Sequence, residues 1–324
     1  MSAHEGDTTG LADSPDVSIP DSDTSGPAPE VAADGRPRGQ AVLDDLVGLL
    51  DLERLEENLF RGVSPPHSLP RVFGGQVAGQ ALVAAGRTVP DDRHVHSLHA
   101  YFIRPGDPSV PIVYETERVR DGRSFTTRRV LGIQHGEAIF SLSASFQVPQ
   151  HGLEHTEPLA VDAPDPESLP DLGTRASQGD SSWLTDTPRP LDIRLVEEPV
   201  WSARRTGASD GPMRVWMRAD GRLPDHQLLH VCLLTYASDL TLLGSVLARH
   251  DVASSQVQMA SLDHAMWFHE PFRADEWLLY TCYSPSASGG RGLATGRFYT
   301  ADGRLIASTM QEGLVRLPSG EKPS

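Results

Sequence analysis

The chain runs through one pattern twice: an apolar helical stretch, then four strand-like stretches separated by short turns. In the first pass, Phe73-Gly74-Gly75-Gln76 opens a helical stretch through Val77, Ala78, Ala81, Leu82 and Ala85. Strands follow at Ser97–Ile103, Val110–Arg118, Ser124–Gln134 and Ala138–Gln147. In the second pass, Asp225–His250 is apolar and expected to be mostly helix. Strands follow at Gln258–His269, Trp277–Ser284, Gly292–Thr300 and Leu305–Arg316. Phe73 to Val77 lies over Tyr236 to Leu240, Tyr101 to Pro105 over Trp267 to Pro271, and His135 to Ile139 over Asp302 to Ile306. The offsets, about 163, 166 and 167 residues, nearly agree, which is the mark of duplication. A helix on an antiparallel sheet buries the apolar face of both elements. Two such units can also join edge to edge, which removes two exposed sheet edges. The expected fold class is therefore α+β, with two repeats each of a central helix wrapped by an antiparallel sheet.

Around this repeat the chain divides into four parts. Residues 1–40 contain no aromatic residue and are rich in Asp, Ser, Pro and Gly. Such a stretch cannot bury enough apolar surface to offset its ordering entropy and reads as a disordered acidic tail. The first repeat spans 41–150 and begins with helical spacing over Ala41–Leu55. Residues 151–190, rich in Pro, Asp, Ser and Gly, form a connection with one short helix expected near Arg175. The second repeat spans 191–318, with two further strands at Leu191–Glu197 and Met213–Arg218.

The net charge of −16 argues against a nucleic-acid partner, whose phosphates demand a basic face. No apolar run approaches the roughly 18–20 residues that span a bilayer, so no membrane span is expected. The start lacks a signal-peptide pattern, and the final residues are not a peroxisomal address. Cys232 and Cys282 sit in apolar surroundings and read as buried free thiols. A cytoplasmic location is the simplest expectation.

Gly207-Ala208-Ser209-Asp210-Gly211 has the spacing of a serine-hydrolase nucleophile elbow, which requires a strand before the serine and a helix after it. Polar and basic residues precede it here and Pro212 follows, so a surface loop is expected. Cys/His metal spacing, a phosphate loop and a dinucleotide fingerprint are all lacking. Neither a metal nor a cofactor is expected. His264 and His269, five apart on a strand, face opposite sides.

Polar residues that occur in one copy of the repeat only, inside otherwise apolar elements, are better candidates for chemistry. Asp239 interrupts the most apolar helical stretch, where the first copy has Gln76. Gln311 lies on the last strand, where the first copy has Ala144, and Ser261 begins the strand leading to Trp267. A buried carboxylate is costly without partners, so Asp239 should find donors. Structural readings stand beside these: Ser238 or Asp239 as the cap of a helix starting there, Gln311 as an exposed strand residue, and Ser261 as a hydroxyl bonded to its own backbone.

At these residues the sequence resembles the acyl-CoA thioesterase II family. The matching stretches run from Leu52–Gly62 through Arg71–Leu82, His96–Phe102, Arg104–Asp107 and Asp121–Phe125. In the second half they continue through Tyr236–Leu240, Asp263–His269, Ser286–Ser288 and Ala307–Gly313. The resemblance implies a double-hotdog fold, an acyl-CoA substrate and hydrolysis to free fatty acid and CoA. It also implies that Asp239, Ser261 and Gln311 hold the attacking water. Backbone N–H groups near Gly74, Gly75 and Gln76 could serve an oxyanion, and Arg104, Arg123 or Arg291 could meet CoA phosphates. A homo-oligomer is the expected assembly. Two rivals remain at this point: an enoyl-CoA hydratase on the same fold, which would need an Asp–His pair, and an acyl-CoA-binding protein without turnover.

Overall fold

The computed structural model describes residues 30–65, 70–160, 162–178, 188–202, 205–252 and 254–317. After a two-stranded ribbon, β1 (Glu30–Val31) and β2 (Pro37–Arg38), come α1 (Gln40–Leu50), β3 (Glu53–Glu56), β4 (Leu59–Gly62) and α2 (Gly74–Gly86). Strands β5 (His94–Phe102), β6 (Ile112–Asp121), β7 (Phe125–Gln134) and β8 (Glu137–Gln147) complete the first half. The connection carries α3 (Leu172–Ser177). The second half comprises β9 (Leu191–Leu195), β10 (Met213–Ala219), α4 (Gln227–Ser238), α5 (Gly244–Ala248), β11 (Gln258–Ser261) and β12 (Asp263–Phe268). It ends with β13 (Leu278–Ser288), β14 (Arg291–Thr300) and β15 (Leu305–Arg316).

All strands from β3 onward form one antiparallel sheet in the order β3-β4-β6-β7-β8-β5-β12-β15-β14-β13-β10-β9, with β11 paired to β15. The order reads the same way outward from the β5–β12 seam: the strand after the helix, then the last, third and second strands of each repeat. At the seam, Tyr101 lies opposite Asp263 and Ser97 opposite Trp267. This is the double hotdog expected from the duplicated pattern, with the two units joined edge to edge.

Alternation along the strands sends one row of side chains toward the helices and the other outward. On β7, for example, Thr126, Arg128, Val130, Gly132 and Gln134 are buried while Arg129 is exposed. The turn from β7 to β8 uses His135 at φ 52° and Gly136 at φ 76°, the left-handed pair that matches the twist of a two-residue hairpin. Every residue of α2 from Gly75 to Ala85 is buried, because the sheet covers one side and α4 the other. That explains why its sequence, mostly Gly, Ala, Val and Leu, has no polar face. Arg128, 1 % exposed, donates to both the carbonyl (2.9 Å) and Oγ1 (2.8 Å) of Thr88 just beyond the end of α2. It thereby ties that helix to the sheet.

Three expectations need correction. The helix expected over Ala41–Leu55 ends at Leu50: Asp51 turns extended, and the exposed Glu53–Glu56 pairs with β4 at the sheet edge. The helix expected over Asp225–His250 breaks after Ser238. From Leu240 to Val246 the backbone bonds tighten to i→i−3, as in Leu240 N–H to Ala237 O and Gly244 N–H to Thr241 O. Of the acidic tail expected over residues 1–40, the stretch 30–40 is folded, carrying β1, β2 and the start of α1. Residues 1–29 lie outside the described residues, whereas Asp34 pairs with Arg189 at 2.5 Å and Arg38 with Asp220 at 2.9 Å. Two charge pairs to distant residues hold a segment that has too few apolar groups to dock otherwise.

Candidate active site

The break after α4 places Asp239 at the end of that helix. Tyr280 fixes the end from below: its hydroxyl donates to the Ser238 carbonyl at 3.2 Å, and its ring stacks on Phe298 at 3.8 Å. Beneath the break the strand leading to the seam changes register. Ser261 lies opposite Gly313 and Ala265 opposite Met310, so four steps on one strand match three on β15. Such a bulge re-aims side chains, and here it lets Ser261 and His264 both turn toward the helices. Gln311 lies on β15, 0 % exposed, in an inward row.

These elements bring the three polar outliers of the repeat together. Gln311 Nε2 donates to Asp239 Oδ1 at 2.6 Å and to Ser261 Oγ at 3.0 Å, and Ser261 Oγ donates to the same Oδ1 at 3.3 Å. The Gly75 backbone N–H, at the start of α2, adds a third donor to the carboxylate. The capping reading of Asp239 does not describe this geometry, since its residue closes a helix and its carboxylate points at side chains from β11 and β15. Neither does Gln311 lie on the exposed face. Although Asp239 keeps some exposed surface as a residue, its carboxyl group is enclosed. Burial pushes its pKa up to about 6, against the opposing hydrogen bonds from Gln311, Ser261 and Gly75. A carboxylate poised there suits proton abstraction near neutral pH.

The first-copy glycines contribute by their lack of side chains. A Cβ on Gly74 would sit 2.7 Å from both Asp239 Oδ2 and the Phe102 ring. The Gly75 N–H bonds the Asp239 carboxylate. Gln76 stands apart from the cluster: it donates to the Val63 carbonyl and Ser64 Oγ, both at 3.1 Å. Among the arginines, Arg104 pairs with Glu137 at 2.7 Å and Arg291 with Glu312 at 2.9 Å, both at the cluster's end of the sheet. Arg123 lies in the β6–β7 turn beside Phe125, which aligns through Gln147 with His94. Phe102 lies eight steps along the strand from His94, so that turn is roughly 26 Å from the cluster.

His264, 1 % exposed, lies next to Gln311 in the sheet, and its Nε2 meets Ser238 Oγ at 2.8 Å rather than Asp239. Burial lowers its pKa to about 4, so it is a neutral imidazole at pH 7. The Asp–His pair required by a hydratase is therefore not formed. His269 sits outside the cluster, with Nε2 on Ser308 Oγ at 2.9 Å. Ser209 lies exposed in a loop, where its Oγ accepts the Gly211 N–H at 3.3 Å, with neither the strand nor the helix of a nucleophile elbow. Among the described residues no group of His, Cys, Asp and Glu could hold a metal ion, and no helix is long and apolar enough to cross a membrane. Cys232 and Cys282 are buried and unbonded to each other. The bulge, the Gly75 N–H and the adjacency of His264 to Gln311 were beyond sequence reasoning, although Gly74-Gly75 opening a helix was a visible signal.

Both halves match known families. The acyl-CoA thioesterase model covers residues 187–314, and the acyl-CoA thioesterase N-terminal domain model covers residues 63–147. The chain is 42 % identical over 314 residues to acyl-coenzyme A thioesterase 8 of Mus musculus, covering 90 % of this chain and 97 % of that protein. It is 37 % identical over 291 residues to acyl-CoA thioesterase 2 of Haemophilus influenzae, covering 85 % and 98 %. In structure it is similar to acyl-CoA thioesterase II TesB2 from Mycobacterium marinum, with TM-score 0.72 and 48 % identity over 85 % of this chain and all of that one. Similar along nearly its whole described length in sequence and fold, the chain belongs to the acyl-CoA thioesterase II family of double-hotdog thioester hydrolases.

Proposed function

We propose that this protein hydrolyses fatty acyl-CoA to free fatty acid and CoA by direct attack of a water held at Asp239, Ser261 and Gln311. The observation that carries the reading is the convergence of Gln311 Nε2 and Ser261 Oγ on one oxygen of a buried carboxylate. These two donors and the Gly75 N–H fix the carboxylate, and its raised pKa makes it a competent base. A thioester carbonyl is electrophilic and a thiolate leaves readily, so a positioned water suffices without an acyl-enzyme. Asp239 takes one proton as the water oxygen bonds to the carbonyl carbon. The C–S bond then breaks, and that proton is available to the departing thiolate. Ser261 and Gln311 set the direction of attack.

Thiol release measured across a panel of straight-chain acyl-CoAs tests this reading. Turnover that rises with acyl length to an optimum is expected. No release from any member, with acyl-CoA still bound, would instead favour a binding protein without turnover.

The reading includes self-association. Tyr101 on β5, Trp267 on β12 and Met310 on β15 are exposed on neighbouring strands, facing away from the helices. An apolar patch of this kind suits a contact between copies. Light scattering of the purified protein gives the mass, and a monomer would contradict this part.

A further inference from the structure

Two buried polar atoms beside the cluster have no hydrogen-bond partner: His264 Nδ1 and Gln311 Oε1. Both residues are essentially inaccessible, at 1 % and 0 % exposed. They face the same way on adjacent strands, since Ala265 opposite Met310 puts His264 beside Gln311. Gln311 is also the side chain near enough to raise the His264 pKa, against the larger lowering by burial. Each orphaned atom is costly alone, and a hydrogen bond between the two would satisfy both.

We propose that His264 is a positioning residue that fixes the amide of Gln311, carrying its proton on Nδ1 and directing it at Gln311 Oε1. The inference rests on the reading of Asp239 as the base. Hydrogen bonding around the ring supports this tautomer. Ser238 Oγ lies 2.8 Å from His264 Nε2, and its single hydrogen can go there, to the Thr235 carbonyl at 2.9 Å or to Met266 Sδ at 3.4 Å. If it goes to Thr235 or Met266, His264 must donate from Nε2, and the bare Nδ1 lone pair faces the Gln311 oxygen. If it goes to Nε2, Nδ1–H satisfies Gln311 Oε1 and no lone pairs collide.

Such a lock matters at one moment of the reaction. While Asp239 is a carboxylate, its charge alone holds Gln311 Nε2 against Oδ1. Once Asp239 has taken the proton from water, that pull weakens. An unrestrained amide could then rotate to accept the new Asp239 O–H with its oxygen, holding the proton that the thiolate needs. With His264 Nδ1–H on Oε1, the rotated amide would set N–H against N–H, so the working orientation survives proton transfer. His264 gives up no proton itself.

The test compares three substitutions by steady-state kinetics on one acyl-CoA. His264→Phe removes the donor and should lower kcat by about 10- to 100-fold with KM within about twofold, the scale of misplacing a reacting group. His264→Asn carries an amide N–H near the Nδ1 position and should recover most of the loss. His264→Gln reaches toward the Nε2 position and Ser238 and should not. Unchanged kcat in the Phe variant, or recovery by Gln rather than Asn, would overturn the proposal and leave His264 a packing residue. Should the variants fail to fold, ring 15N chemical shifts of His264 in the unmodified protein decide the matter. A proton on Nδ1 is expected, and a proton on Nε2 alone overturns the lock. An Asp239→Asn protein run alongside separates the two readings: if it stays active, the water mechanism fails whatever His264 does.

Discussion

Gln311 Nε2 lies 2.6 Å from Asp239 Oδ1, joining the last strand of the sheet to the end of a helix 72 residues earlier in the chain. Ser261 meets both, and all three converge on the space in front of one carboxylate oxygen.

Residues that act on one water lose activity together. Gln311→Ala and Ser261→Ala should each lower kcat, by less than Asp239→Asn does, because in the proposed mechanism they aim the water without taking its proton. The double variant should fall short of the product of the two single losses. Full multiplicativity in a double-mutant cycle would show that the two residues act independently.

The pH dependence follows from the direction of the Asp239 shift. Burial raises the pKa to about 6, and in the proposed mechanism the working form is the carboxylate. Activity, as kcat/KM, should be flat above neutrality and fall about tenfold per pH unit below about 6 as the base takes up a proton. A profile that stays level down to pH 4.5 would contradict a base with a raised pKa.

The same shift has a stability consequence of opposite sense. The folded pKa lies above the unfolded value near 3.8, so the folded state holds the proton more tightly. Ionised Asp239 therefore weakens the fold above about pH 6, and the penalty disappears as the pH falls toward 4. Asp239→Asn should stabilise the protein at pH 8 by about 1–3 kcal/mol after allowing for solvent that still reaches the residue. At pH 4 it should gain little. Denaturant titrations at both pH values measure the difference, and equal or negative gains would count against the burial argument.

Gly74 tests the approach of the two halves. A methyl group there would sit 2.7 Å from Asp239 Oδ2 and from the Phe102 ring. Gly74→Ala should displace the carboxylate and reduce kcat by roughly 10²-fold, as expected for a misplacement near 1 Å, while circular dichroism shows the fold retained. Parental activity would mean the contact relaxes without moving Asp239.

Much of this architecture was legible because it is periodic. The turns Asp121-Gly122, His135-Gly136 and Asp302-Gly303 set the strand boundaries to within a few residues, and the repeat offset placed the halves in order. Asp239 and Gln311 stood out because each puts a polar group where the matching element is apolar or uncharged. What the sequence concealed depends on through-space contact. The break after Ser238 follows from an anchor on Tyr280 and an enclosed carboxylate, neither of which leaves a helix-stop signal such as Gly or Pro. The bulge after Ser261 is one residue of register, invisible to a pattern of alternation. Asp34 and Arg38 looked like part of a solvated tail because their partners, Arg189 and Asp220, lie more than a hundred residues away.

The central claim is that Asp239 takes the proton of the attacking water. Asp239→Asn keeps the shape of the side chain and removes the proton acceptor, so kcat for thiol release from acyl-CoA tests it most directly. General-base catalysis contributes about 10²–10⁴-fold, and kcat should fall within that range while acyl-CoA binding and the fold are retained. A purified Asp239→Asn protein with kcat within about threefold of the parent, far below that range, would contradict the account.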